Sequence, residues 1–74
     1  MTTLVNNEEK AISQGTYAFS VTGALDLQWR PVSSFITLSE GSFAAAGDGI
    51  ILLPATTLKV INGTTESITL VRVE

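Results

Sequence analysis

The stretch Gly15-Thr16-Tyr17-Ala18-Phe19-Ser20-Val21-Thr22-Gly23-Ala24-Leu25-Asp26-Leu27-Gln28-Trp29 decides how the chain is read. Tyr17, Phe19 and Val21 alternate with Ala18, Ser20 and Thr22, and Leu25, Leu27 and Trp29 alternate with Asp26, Gln28 and Arg30. Successive side chains leave a strand on opposite faces, so a period of two is that of a half-buried β-strand. The apolar members all carry odd numbers. Residues directly opposed in an antiparallel pair share a face, so a hairpin that keeps these side chains together needs a loop with an odd number of residues. The loop Thr22-Gly23-Ala24 predicts Val21 opposite Leu25, Phe19 opposite Leu27 and Tyr17 opposite Trp29, with Gly23 available for a left-handed backbone.

Outward from this stretch, Pro31 ends the second run because it offers no N–H to a ladder. Residues 34–39 predict a further strand with Ile36 and Leu38 on one face, and Glu40-Gly41 predicts a turn. Ser42 to Ala46 reads as extended, although Ala44-Ala45-Ala46 intrinsically prefers helix. Gly47-Asp48-Gly49 has turn composition. Ile50-Ile51-Leu52-Leu53 is apolar at every position, so both faces of that strand require cover, and Pro54-Ala55 breaks it.

Thr57 to Ile61 and Ser67 to Val73 predict a second hairpin around Asn62-Gly63. A two-residue turn would set Val60 against Thr65, whereas an odd loop such as Gly63-Thr64-Thr65 sets Val60 against Ile68 and Leu58 against Leu70. Residues 6–13 are polar and read as an arm, a loop or one helical turn. The expected fold is all-β, a small antiparallel β-sandwich or barrel built from hairpins. Residues 15–74 form the single domain, and residues 1–14 an N-terminal arm or first strand.

Size sets the energetic frame. A domain of 74 residues buries only about 60% of the surface its unfolded chain exposes, and chains of this size gain support from disulfides, a metal or a partner. The chain has no Cys and no His, which leaves oligomerisation. The net charge is −3, and Lys10, Arg30, Lys59 and Arg72 are dispersed along the sequence, so neither nucleic acid nor an anionic membrane is an expected partner. The N-terminus shows no basic start followed by an apolar run, so no signal peptide is expected.

Catalytic chemistry finds no foothold in the sequence. Asp26, Glu40, Asp48, Glu66 and Glu74 sit beside turns or on polar strand faces, where solvated acids belong, and Glu8-Glu9 reads the same way. No G-x-S-x-G, phosphate-binding loop or calcium loop occurs. Asn62-Gly63-Thr64 matches a glycosylation sequon, but a turn accounts for it. Trp29 and Tyr17 could form a sugar-stacking platform, yet their phase with Leu25, Leu27 and Phe19 favours core or subunit interface. The expectation is a non-enzyme with no catalytic, cofactor or metal site.

A possible subunit interface is expected at Ile51, Leu53, Val71 and Val73, the second apolar faces of their strands, with Ile50 and Leu52 turned to the chain's own core. The parity of that choice is open in the sequence.

Gly15 to Gly23 followed by Leu25 to Trp29 resembles the opening hairpin of small β-rich structural proteins of tailed-bacteriophage virions, and Leu53 to Val60 with Ser67 to Val73 resembles their closing hairpin. The likeness spans residues 15–73 as a pattern of strands and turns. It implies a capsid decoration (cement) subunit, assembled in the host cytoplasm onto the virion. Such a subunit would be a homo-oligomer, a trimer by expectation, with the major capsid protein or another virion protein as partner. A tail or adaptor component and a stand-alone carbohydrate-binding module are the alternative readings.

Overall fold

A computed structural model describes residues 1–74. Eight strands form: β1 (Thr2–Val5), β2 (Glu9–Ile12), β3 (Gly15–Val21), β4 (Leu25–Trp29), β5 (Ile36–Phe43), β6 (Gly47–Leu53), β7 (Thr56–Ile61) and β8 (Ser67–Arg72). They make two antiparallel four-stranded sheets, sheet I in the order β1-β8-β3-β6 and sheet II in the order β2-β7-β4-β5. The sheets pack face to face as a sandwich and do not close into a barrel.

The pairing has one underlying form. β1 pairs with β8, β2 with β7, β3 with β6 and β4 with β5, so the first half of the chain runs antiparallel to the second half throughout. The register is continuous across the sheet changes. Partner numbers keep one constant total from Glu9↔Lys59 through Gly15↔Leu53 and Val21↔Gly47 to Asp26↔Ser42. Equal connections make this possible, since Ser13-Gln14 runs opposite Pro54-Ala55 and Thr22-Gly23-Ala24 opposite Ala44-Ala45-Ala46. The chain is one long hairpin rolled up so that successive ladder segments fall in opposite sheets, which is the jelly-roll topology.

Rolling corrects both predicted hairpins. β3 and β4 lie in different sheets, as do β7 and β8. Thr22-Gly23-Ala24 and residues 62–66 arch over the core between the sheets. The same-face expectation still holds, because an arch also turns matching parities toward each other across a core. Val21, Leu25, Leu27, Leu58, Val60, Ile68 and Leu70 are all buried and, with Leu4, Tyr17, Ile51 and Leu53, form the core. Gly23 adopts no left-handed backbone; Asn7 (φ 67°), Asn62 (φ 58°) and Thr64 (φ 50°) do.

Other boundaries also move. Residues 2–12 supply two strands, and Leu4 is fully buried, so the N-terminal segment is part of the sandwich and holds no helical turn. Glu40-Gly41 lies within β5, where Leu38 to Gly41 bulge out of register between Asp26↔Ser42 and Gln28↔Thr37. A Cβ on Gly41 would lie 2.6 Å from the Leu27 carbonyl oxygen, so the bulge needs glycine there. Gly47-Asp48-Gly49 is strand, because β3 supplies it with partners from Phe19 to Val21. The Phe19 ring lies across Gly49, 2.7 Å from where a Cβ would stand, and meets Phe43 with ring centroids 5.0 Å apart. This pair joins the sheets at the β5/β6 side of the sandwich.

Candidate functional site

The core sets which residues each sheet turns outward. Ile51 and Leu53 are 3% and 2% exposed and belong to the chain's own core, which corrects their placement at a subunit interface. Their outward neighbours are Ile50 and Leu52, 62% and 78% exposed. The reversal follows from register: Ile51 lies opposite Tyr17 and Leu53 opposite Gly15, the inward parity of β3. Val71 and Val73 are exposed, as an outward surface requires.

The ladder brings the outward residues together. Val71, Ala18 and Ile50 stand in one row across β8, β3 and β6. Leu52 lies opposite Thr16, whose carbonyl accepts the Val73 N–H at 2.8 Å, which makes a second row of Val73, Thr16 and Leu52. The next row is polar, with Thr69, Ser20 and Asp48, and Thr3 Oγ1 lies 3.1 Å from Thr69 Oγ1. Sheet I thus presents an apolar end and a hydroxyl-rich end on one face. Shallow depressions of about 380 Å³ beside Leu52 and about 280 Å³ beside Val71 flank the apolar rows.

Sheet II turns out a different surface. Glu9, Lys59, Gln28 and Thr37 form one polar row across its four strands. Arg30 and Lys59 approach the Phe35 ring, 5.2 and 5.4 Å from its centroid. Asp26 is held by Asn62, whose Nδ2–H donates to Oδ2 at 2.7 Å, and by Ser42, whose Oγ–H donates to Oδ1 at 2.8 Å. The Asn62 bond first and the Ser42 bond second favour the ionised carboxylate and lower its pKa from the ordinary value, against a small opposing effect of burial.

The remaining acids stand apart. Glu66 accepts a bond from Thr22 Oγ1 at 2.6 Å, Glu8 pairs with Lys10 at 3.7 Å, and Glu40 lies exposed on the β5 bulge. No group of three or more acidic side chains converges. Tyr17 is buried with its hydroxyl donating to the Ser13 carbonyl at 2.7 Å, and Trp29 packs against the core, so the two do not form an exposed stacking platform. The outward row of Ile50 and Leu52 is what the sequence reading missed, because four consecutive apolar residues carry no phase of their own. The phase was available from β3, whose alternation is clear.

Comparison of the chain with protein-family models, curated proteins and solved structures finds no match.

Proposed function

We propose that the chain is a structural assembly subunit, a non-enzymatic virion protein that self-associates and decorates the outside of a tailed-phage head. The observation that carries this reading is the outward apolar end of sheet I, where Ile50, Leu52, Val71 and Val73 stand together on one face of a small domain. Fully burying an exposed apolar side chain is worth about 1.5–3 kcal/mol, less for the half-covered Val71 and Val73, and it is this gain that would offset the cost of association. The rolled-hairpin topology is also one that virus capsid domains use, although lectins and cupins share it, so the fold supports the reading by analogy only.

Counting copies of the chain per purified particle tests this function. Decoration of a head lattice requires hundreds of copies on the order of the shell's own subunit number, a tail or adaptor ring a handful, and absence from particles removes the virion role. A glycan-binding module is the competing class. It requires indole fluorescence from Trp29 to respond to sugars, and the packing of Trp29 against the core weighs against that response.

A further inference from the structure

Four strands form the edges of the two sheets: β1 and β6 in sheet I, β2 and β5 in sheet II. A sheet edge carries unpaired N–H and C=O groups, and folded chains blunt it with charge, a bulge, short length or a covering side chain. Three of these four edges are blunted. On β1, Lys10 Nζ donates to the Thr3 carbonyl at 2.9 Å, the Val5 N–H donates to Glu8 Oε1 at 3.0 Å, and the Glu8 N–H donates to the Val5 carbonyl at 3.0 Å. The strand β2 is four residues long and exposes Glu9 and Lys10. The strand β5 swells out of register opposite Leu27, with Glu40 on the swelling. The seven residues of β6 have no bulge and no covering side chain: they run in unbroken register with β3, contain no Lys, Arg or Pro, and carry a single charge, Asp48, near one end.

Which groups of β6 are open follows from the alternation of ladder bonds. The Thr22 N–H donates to the Ser67 carbonyl at 3.0 Å and the Val73 N–H to the Thr16 carbonyl at 2.8 Å. Even-numbered residues of β3 therefore turn their backbone groups to β8, and odd-numbered ones turn theirs to β6. Tyr17 and Phe19 pair with Ile51 and Gly49, which use their backbone groups on β3. Asp48, Ile50 and Leu52 turn theirs to the open side. No side chain of the molecule bonds to them.

The geometry points to β6 as the strand through which two copies of this chain pair, antiparallel, into one continuous eight-stranded sheet. The pairing presupposes the self-association proposed above and assigns it to one strand. A second copy is the occupant because the edge is complementary to itself. An antiparallel pair about a two-fold axis sets even-numbered residues beside even-numbered ones, so open donors meet open acceptors and outward side chains stay on one face. The apolar rows of the two copies then run on as one surface. Asp48, the strand's one charged residue, lies toward one end, so the antiparallel arrangement separates the two carboxylates that a parallel one would place side by side. The other edges of the second copy are blunted, so β6 meets β6. That contact closes at two chains, and a trimer would need a different surface.

Amide hydrogen exchange of the full chain, followed residue by residue at low and high concentration, tests the pairing. The Ile50 and Leu52 N–H groups should exchange at least about tenfold more slowly in the concentrated sample, while Gly49 and Ile51 are protected in both. Ile50→Pro removes one open donor and no bond to β3, so it should keep the fold and lose the dimer. An oligomer whose Ile50 and Leu52 amides exchange at the dilute rate overturns edge pairing and leaves self-association standing. A single-chain mass at every concentration overturns both. The exchange result on the unmodified chain decides the matter even where the proline variant does not fold.

Discussion

At the residue scale, the fold depends on a few positions whose importance is invisible in composition. Gly49 and Gly41 lie in strands, where glycine ordinarily weakens pairing, and each is there because something occupies the space a side chain would take. The Phe19 ring fills it at Gly49, and the Leu27 backbone and Leu38 Cβ fill it at Gly41. Gly49→Ala and Gly41→Ala should each destabilise the chain by about 1–3 kcal/mol in denaturant titration, since ring or backbone must shift to admit a methyl group. An unchanged midpoint for both would remove the close approaches from the account.

Asn62 combines a left-handed backbone with a bond to Asp26. The bonded carboxylate has a lowered pKa, so its contribution to stability is complete above the unfolded value near about pH 4 and fades as pH falls through the lower folded value. Asn62→Ala should raise the Asp26 titration toward the ordinary range in an NMR pH series and flatten the acid limb of the stability curve. A titration that stays in place would show that Asn62 does not hold the carboxylate.

At the scale of the element, alternation identified which side chains face the core, and it did so correctly for β3, β4, β7 and β8. Leu25, Leu58 and Ile68 were legible in this way. It did not identify the neighbour of each strand. A hairpin and an arch between sheets both bring matching parities together, so periodicity of one strand carries no information about which sheet the next one joins. The outward apolar residues were half legible for a related reason. Val71 and Val73 are the off-phase members of a strand whose core phase is set by Ile68 and Leu70, whereas Ile50 to Leu53 offer two equal phases.

The register with β3 resolves that choice and yields a sharp contrast. Ile51→Asp buries an unpaired carboxylate in the chain's own core and should cost upwards of about 3 kcal/mol of folding stability. Ile50→Asp places the same group on the surface, and the isolated fold should change by no more than about 0.5 kcal/mol while self-association is lost. Thermal melts with mass determination on both variants separate the two effects. Equal loss of folding stability would contradict the assigned faces.

At the scale of the whole molecule, the rolled hairpin explains why the breaks in the sequence fall where they do. Ser13-Gln14 and Pro54-Ala55 are equidistant from Ser34, the point about which the hairpin doubles back, as are Thr22-Gly23-Ala24 and Ala44-Ala45-Ala46. This mirror spacing was present in the sequence, but only pairing gives it meaning. Rolling also leaves a thin core of 11 buried apolar residues and turns four exposed apolar side chains out on one face. A domain of this size has little stability to spare, and the proposed association would cover that face. The most direct test is light scattering with mass determination across about a hundredfold concentration range, run alongside thermal melts. The account predicts a mass that rises from one chain of 7.8 kDa to a multiple of it, with a melting temperature that climbs in parallel. A single-chain mass and a constant melting temperature over the whole range would contradict it.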